Sequence, residues 1–172
     1  MTADRKTNLW APWRTEYING LGEDQGCFLC RCRDEPQQDA RNLLLWRAER
    51  ALVVMNRFPY TGGHLLIAPP AHAGRLNELD EPGLTALMTA LRDAQDLLTA
   101  VLHPQGFNVG INFGKCAGAG LPGHLHLHLV PRWEGDTNFM SALADVRVIP
   151  QALAALYAQL RAQAESMGLA GT

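Results

Sequence analysis

The segment GHLHLHLVPRW alternates histidine with leucine, and this alternation constrains the fold more than any other feature of the sequence. Successive side chains of a β-strand point to opposite faces, so His124, His126 and His128 would point one way, about 6.7 Å apart. Half of the six histidines in the chain belong to this run. A buried imidazole needs a polar partner, so three of them on one strand face indicate a site rather than an ordinary core strand.

Length and composition indicate one globular domain, which we expect to span residues 1–172 with an N-terminal arm over 1–26. Hydrophobic residues make up 47% and charged residues 19%, which excludes disorder, collagen and coiled coil as descriptions of the whole chain. The net charge of −2 argues against nucleic acid or an anionic membrane as a main partner. There is no apolar run of the roughly 18 residues that a membrane span needs and no signal peptide, so a cytoplasmic protein is predicted.

The hydrophobic pattern predicts an α+β fold, because runs of strands are followed by separate helices. Strands are predicted at 43–47, 50–56, 64–68, 107–113 and 124–131. The polar segment 33–41 is predicted to be an exposed loop.

Two helices are predicted. Asp80 is the expected N-cap of a long helix that ends at His103, with Leu84, Leu87, Met88, Leu91, Leu98, Val101 and Leu102 on one face. A C-terminal helix at about 150–167 is expected to bury Leu153, Leu156, Tyr157, Leu160 and Met167.

Two chemistries fit the histidine run. An HxH pair followed by a carboxylate can bind a catalytic metal in cupin-like barrels, and Glu134 follows His128 by six residues. The two long helices argue against such a barrel of short strands. Alternatively, one imidazole attacks phosphorus, a neighbour holds the phosphate, and the amides of loop 114–123 bind the charge. Because that loop enters the histidine strand directly, phosphate chemistry is favoured.

At these residues the chain resembles the histidine-triad family of nucleotide hydrolases and transferases. The run HLHLHLV fits that family's HφHφHφφ motif, in which φ is apolar. The resemblance extends to RALVVMNRFPYTGGHLLIAPPAH, GFNVGINFGKCAGAG and PRWEGDTNFM, while LWAPWRTEYI and VIP are similar to the diadenosine tetraphosphate phosphorylase branch. It implies an antiparallel sheet packed against a long helix, a C-terminal helix, and a homodimer that acts on a small-molecule nucleotide.

The resemblance implies a role for each residue of the site. His126 would form a covalent nucleotidyl-histidine, and His128 would contact the scissile phosphate and the leaving oxygen. A neutral imidazole is nucleophilic near pH 7, and we expect its other nitrogen to donate to a backbone carbonyl. The implied nucleotide-binding residues are Asn56, His64, Asn112, Gly118, Gly120 and His128. A structural histidine at position 64 and a simple turn residue at position 56 are alternatives.

The phosphorylase branch implies transfer of the nucleotide to inorganic phosphate, so that diadenosine tetraphosphate gives ATP and ADP. Phe113 stands where the fragile-histidine-triad hydrolases have Gln, which also favours phosphate over water as the acceptor. The loop 114–123 would hold the second anion, with Lys115 as a candidate cation. A hydrolase or a nucleoside phosphoramidase of the same family, and a nucleotide sensor without turnover, are the alternatives.

The pair Cys27-Phe-Leu-Cys30 fits a redox pair, half a zinc site or coincidence. The strand before and the helix after that a thioredoxin-type pair needs are not evident from the sequence. Zinc-bearing members of the family have a ligand eight residues after the position of His64, so the resemblance implies a closed, structural zinc site. Its ligands would be Cys27, Cys30, His72 and His124, with Cys32 or Cys116 as possible substitutes.

Overall fold

The structure of the protein is a computed structural model, and it describes residues 26–136 and 152–169. The predicted N-terminal arm lies outside the described residues except for its last position. The segments LWAPWRTEYI and VIP, which carried the resemblance to the phosphorylase branch, also lie outside them.

Five antiparallel strands form one sheet in the order β1-β2-β3-β5-β4. They are β1 (Leu44–Ala48), β2 (Ala51–Met55), β3 (Leu65–Ala68), β4 (Gly106–Ile111) and β5 (Leu127–Arg132). Each predicted strand is present, but β5 begins at Leu127 rather than at His124. The reason is that the Leu125 N–H donates to the carbonyl of Ala73 at 2.6 Å, outside the sheet ladder.

The helices are α1 (Phe28–Asp34), α2 (Asp39–Asn42), α3 (Glu81–Leu102) and α4 (Leu153–Ser166). The predicted long helix is confirmed as α3: the Asp80 carboxylate accepts from the Gly83 N–H at 2.9 Å, and His103 ends the helix in a left-handed conformation with φ 47. The loop predicted at 33–41 is wrong in part, because this segment holds the end of α1, a 3₁₀ turn at Pro36–Gln38 and most of α2.

Both faces of the sheet are covered, which explains why every residue of β2 and β3 is buried. The larger core lies between one face and the helices α3 and α4, and it takes Val53 and Met55 from β2. A smaller core lies on the other face against α1, and it takes Leu52 and Val54. The alternation of side chains along β2 therefore serves two cores.

Two predicted core positions are wrong. Met88 is 52% exposed and Met167 is 37% exposed. The buried face of α3 is marked by the small residues Ala90 and Ala94, which a search for large apolar side chains passes over. Met167 lies just beyond the last residue of α4.

The antiparallel sheet with its helices confirms the predicted α+β class. Within 26–136 and 152–169, no helix is long and apolar enough to cross a membrane. A single domain over 1–172 stays a prediction.

Candidate active site and metal centre

Four residues with metal-binding side chains meet where α1 begins: Cys27, Cys30, His72 and His124. Their ligand atoms all lie within 4.8 Å of one another, and we call them the metal cluster. Cys27 Sγ is 3.1 Å from His124 Nδ1, and Cys30 Sγ is 3.3 Å from His72 Nδ1. Cys30 Sγ is also 3.6 Å from His124 Nδ1. The structure thus brings together the four residues that the resemblance implied as ligands.

Local structure positions these ligands. Cys27 is the N-cap of α1, and its sulfur accepts from the Cys30 N–H at 3.5 Å, so one helical turn places the two thiols together. His124 is fully buried, and its Nε2 lies 2.8 Å from the carbonyl oxygen of Pro69, which directly follows β3. Because a carbonyl only accepts, His124 Nε2 carries a proton, so Nδ1 is the nitrogen that can present a lone pair to a metal ion held by the cysteines.

The donor set and its spacing fit tetrahedral zinc. Zinc binds sulfur at about 2.3 Å and histidine nitrogen at about 2.0–2.1 Å, so two ligand atoms at corners of the tetrahedron lie roughly 3.3–3.8 Å apart. The three sulfur–nitrogen distances of 3.1, 3.3 and 3.6 Å are close to this range. Burial raises the pKa of the Cys27 thiol, but hydrogen bonds with His124 and the Cys30 N–H and the charge of His124 outweigh it and leave a pKa of about 6. Cys27 therefore favours the thiolate, the form that binds a metal.

The other two cysteines lie elsewhere. Cys32 is buried in the smaller core, its thiol donates to the Asn42 carbonyl at 3.9 Å, and burial raises its pKa to about 11. Cys116 is exposed in the 3₁₀ turn Lys115–Ala117. The structure does not support either as a replacement ligand. It also shows that a helix, α1, directly follows Cys27, which the sequence pattern did not indicate.

His126 is held by the backbone of a metal-cluster residue. Its Nδ1 lies 2.8 Å from the carbonyl oxygen of His124, the type of bond expected from the sequence. Since the carbonyl only accepts, Nδ1 carries the proton and Nε2 keeps its lone pair. His126 as a whole residue is 7% exposed, and burial, together with the charge of His124, lowers the pKa of His126 despite this hydrogen bond. His126 is thus a neutral imidazole near pH 7.

His64 and His128 form a directional chain of hydrogen bonds. The Tyr60 N–H and the Asn56 side-chain amide lie 3.2 and 3.1 Å from His64 Nδ1, so this nitrogen accepts and Nε2 carries the proton. His64 Nε2 lies 3.0 Å from His128 Nδ1, which leaves the proton of His128 on Nε2. Burial and the charge of His126 lower the pKa of His128 to about 4. The rings of His126 and His128, which we call the histidine pair, have centroids 4.9 Å apart.

The glycine-rich loop lies beside the histidine pair. The side-chain amide of Asn112 is 3.4 Å from His128 Nε2. Gly118 has a φ of 87, and a Cβ there would lie 4.0 Å from the Asn112 amide, so this glycine borders the site. Gly120 is half-buried in the same loop.

Part of this loop is occupied by its own hydrogen bonds. The N–H groups of 117–119 donate to the carbonyls of Gly114 and Lys115. The expectation that the loop presents its amides beside the imidazoles therefore fails for these three positions, because the backbone turns back on itself there.

Asn56 makes hydrogen bonds within the protein. Its side-chain oxygen accepts from the Phe58 N–H at 3.0 Å, and its amide donates to His64 Nδ1. These bonds match the turn role that was the alternative for Asn56, and a contact with a ribose stays a prediction. His64 is fully buried and touches His128, so its place is within the site rather than only at a strand edge.

Comparison with known proteins decides the family. The family model for the HIT domain matches residues 37–135, more than half of the chain. The chain belongs to the HIT family. An AP-4-A phosphorylase of Mycobacterium tuberculosis is 34% identical to it over 160 residues, which cover 87% of this chain and 80% of that protein.

Two further similar proteins are informative. A bis(5'-nucleosyl)-tetraphosphatase [asymmetrical] of Schizosaccharomyces pombe is 32% identical over 93 residues, 54% of this chain and 50% of that protein. The crystal structure of a zinc-bound histidine triad family protein from Mycobacterium smegmatis aligns with a TM-score of 0.64 at 23% identity, over 85% of this chain and 98% of that one. The latter similarity shows a shared HIT fold.

The three triad histidines of this HIT protein do not share one strand face, so that expectation is wrong. His128 lies in β5, whereas His124 and His126 precede it. The bond from Leu125 to Ala73 holds this segment away from the ladder. As a result, His124 joins the metal cluster while the other two form the histidine pair.

The cupin-type alternative is also wrong, because the chain has the HIT fold. Glu134 is exposed, and its N–H donates to the Gln105 side chain. Within the described part of the chain, the group of metal-type ligands close enough to share an ion is the metal cluster, which contains neither the histidine pair nor Glu134.

Sequence reasoning missed two residues of the site. The Tyr60 ring stacks on His64 with centroids 4.9 Å apart and an interplanar angle of 21°, and its N–H sets the His64 tautomer. Pro69 orients His124 through its carbonyl. Tyr60 falls in the segment FPYTGGH, whose resemblance to the HIT family was a usable signal. A backbone carbonyl has no signature in the sequence.

Proposed function

We propose that this HIT protein transfers a nucleotidyl group from a dinucleoside polyphosphate through a covalent intermediate on His126. The observation that carries the proposal is the hydrogen bond from His126 Nδ1 to the His124 carbonyl, because it leaves a lone pair on Nε2 of a buried, neutral ring. The names of two relatives, an AP-4-A phosphorylase and a bis(5'-nucleosyl)-tetraphosphatase, support an enzyme of this substrate class.

In the first proposed step, the Nε2 lone pair of His126 attacks the α-phosphorus of diadenosine tetraphosphate. An N–P bond forms and the anhydride bond to the β-phosphate breaks, so ATP leaves and an adenylyl group stays on His126. The electron pair of the broken bond goes to the leaving oxygen.

His128 is proposed to stabilise that leaving oxygen. The bond from His64 Nε2 to His128 Nδ1 keeps the proton of His128 on Nε2, from which it can be donated. The Asn112 amide, 3.4 Å from the same nitrogen, borders the place where the phosphate would lie. Asn56 and Tyr60 act through His64 as positioning residues.

In the second proposed step, an oxygen of inorganic phosphate attacks the same phosphorus. The N–P bond breaks, its electron pair returns to His126 Nε2, and ADP leaves. The 34% identity to an AP-4-A phosphorylase supports phosphate rather than water as the acceptor. Phe113, in place of the Gln of the hydrolase branch, supports the same choice. Lys115 makes no ion pair among the described residues and is the candidate cation for this anion.

The metal cluster is proposed to hold a structural zinc ion. Cys27 and Cys30 would bind it through sulfur, and His72 and His124 through Nδ1, which leaves no open position for substrate. When bound, the ion would cross-link the start of α1 to the segments that contain the two histidines. The sulfur–nitrogen spacing supports this assignment, and a zinc-bound histidine triad protein shares the fold.

We also propose a cytoplasmic homodimer that has no nucleic-acid or membrane partner. Strand β4 is an edge of the sheet, its residues 108–110 are exposed, and Val109 is 48% exposed. An edge strand of this kind can pair with a second copy. Sedimentation equilibrium of the purified protein measures the state directly.

Product analysis with diadenosine tetraphosphate, with and without inorganic phosphate, tests the proposed reaction. We expect ATP and ADP, with turnover that rises as phosphate is added. ATP and AMP in equal amounts at a rate indifferent to phosphate would identify a hydrolase. Release of AMP from adenosine 5'-phosphoramidate without turnover of the dinucleotide would identify a phosphoramidase.

A further inference from the structure

A cavity of about 390 Å³ lies at the glycine-rich loop, and its lining does not include His126, His128, Asn112 or Lys115. Its lining consists of Gly74, Arg75, Glu78, Phe113, Gly114 and Pro122. This volume falls within the range of small-molecule sites, roughly 300–1,000 Å³.

The walls of the cavity belong to segments that also build the active site. Phe113 directly follows Asn112, whose amide lies 3.4 Å from His128 Nε2. The lining segment that begins at Gly74 is tied to the triad segment by the bond from the Leu125 N–H to the Ala73 carbonyl. The cavity lining therefore includes the residue that directly follows Asn112, whose side-chain amide lies beside the histidine pair.

Close backbone packing shapes the cavity. A Cβ added to Gly74 would lie 3.3 Å from the carbonyl oxygen of Pro122, which is tighter than an ordinary contact. A larger residue at position 74 would push the two walls apart. The shape of the cavity therefore depends on glycine at this position.

The lining combines a cation with an exposed aromatic ring. Within the described residues, the Arg75 side chain makes no ion pair, whereas six other arginines do. Glu78, the acid of the lining, accepts from the Gly74 N–H at 2.7 Å. The Phe113 side chain is 45% exposed. Guanidinium groups bind phosphate oxygens, and exposed aromatic rings stack on nucleobases.

We propose that this cavity binds the departing half of the dinucleoside polyphosphate, with its base on Phe113 and its distal phosphates at Arg75. The inference rests on the proposed function, because it names where the leaving nucleotide lies. The leaving oxygen is assigned to His128, and Phe113 of the cavity lining directly follows Asn112, whose amide lies 3.4 Å from His128 Nε2, so the cavity adjoins the place of the leaving oxygen along the chain.

The test compares two substrates that share the adenylyl group. Diadenosine tetraphosphate has the departing nucleotide, and adenosine 5'-phosphoramidate has ammonia in its place. For each variant, kcat/KM for diadenosine tetraphosphate is divided by kcat/KM for adenosine 5'-phosphoramidate. We expect this ratio to fall about tenfold in Arg75→Ala and in Phe113→Ala, because KM for the dinucleotide rises.

Two matched controls accompany these variants. Phe113→Tyr keeps an aromatic ring and should preserve the ratio. Arg41→Ala removes another exposed arginine that makes no ion pair among the described residues, and it should also preserve the ratio. An unchanged ratio in Arg75→Ala and Phe113→Ala overturns the proposal. A rise in KM for inorganic phosphate alone in Arg75→Ala also overturns it, since the cavity would then hold the acceptor.

Binding separates failure of this inference from failure of the proposed function. Diadenosine tetraphosphate and AMP are titrated by calorimetry into His126→Asn, with and without Phe113→Ala. We expect Phe113→Ala to weaken the binding of diadenosine tetraphosphate about tenfold and to leave the binding of AMP unchanged. This result would support the cavity even if neither substrate were turned over, and equal weakening of both ligands would contradict it.

Discussion

The metal cluster and the histidine pair both depend on backbone carbonyls, but these carbonyls select opposite tautomers. The Pro69 carbonyl places the proton of His124 on Nε2, which turns Nδ1 toward the two thiols. The His124 carbonyl places the proton of His126 on Nδ1, which leaves the lone pair on Nε2. Two imidazoles separated by a single leucine thus acquire different chemistry, and the difference lies in which nitrogen is protonated.

One residue belongs to both regions. The His124 side chain is part of the metal cluster, while its carbonyl orients His126. We expect variants of the histidine pair to affect mainly the reaction and variants of the metal cluster to affect mainly stability. Through His124, a variant of the cluster should also have a limited effect on the reaction.

The largest expected effect comes from breaking the histidine pair at its nucleophile. His126→Asn approximates the size of the imidazole and removes the attacking nitrogen, so turnover should fall by several orders of magnitude. Metal content and melting temperature should stay near those of the parent protein. Steady-state turnover with metal analysis checks both, and a fully active variant would rule out His126 as the nucleophile.

A smaller loss is expected at the second histidine of the pair. His128→Asn removes one donor to the leaving oxygen, which should lower kcat by about 10²–10³. The matched control is His103→Asn, at the exposed, left-handed end of α3, where asparagine is well tolerated. Equal rates in the two variants would contradict the role of His128.

Breaking the metal cluster should affect stability more than chemistry. Cys27→Ala should lose bound metal and lower the melting temperature, since structural zinc contributes on the order of 10 kcal/mol in small domains. At low temperature its kcat should fall by no more than about 10², the cost of a small displacement of His126. Cys116→Ala, an exposed cysteine outside the cluster, is the control. If the parent protein contains no metal, or if Cys27→Ala is equally stable, the metal assignment is wrong.

The smallest expected effect concerns pH. The pKa of His128 is about 4 in the folded protein, below the ordinary value of ~6.5. Between these two values the unfolded chain binds a proton that the native state does not, so His128 lowers stability as the pH falls through this window. Protonation of His128 keeps its Nε2–H donor, whereas turnover needs the lone pair of His126, whose pKa burial also lowers, so kcat should show no inflection near pH 6.5 and should decline only at lower pH. The turnover number kcat and the metal content are measured at each pH. An inflection of kcat near pH 6.5 in protein that has kept its bound metal would contradict this expectation.

Much of the fold could be predicted because its signals are local. Apolar runs mark the five strands, Gly62, Gly63 and Pro69 bound the run that holds β3, and Asp80 and Pro82 mark the start of α3. The exposure of Met88 and the two short helices around 33–41 could not be predicted, because they depend on which residues the rest of the chain covers.

The candidate site also has a part that could be predicted from the sequence and a part that could not. The resemblance to the HIT family named the members of the metal cluster, and the structure brings these side chains together. The separation of His124 from the histidine pair depends on the bond between Leu125 and Ala73 and on the carbonyls of Pro69 and His124. Backbone groups of this kind are present at every residue, so only the fold shows which of them are used.

The most direct test of the central claim is mass spectrometry of the protein after rapid acid-free quenching of a reaction with diadenosine tetraphosphate in the absence of phosphate. We expect one adenylyl group on the peptide that contains His126, its loss as ADP when phosphate is added, and no adduct in His126→Asn. Turnover without an adduct in a time-resolved series, or an adduct on another residue, would contradict the account.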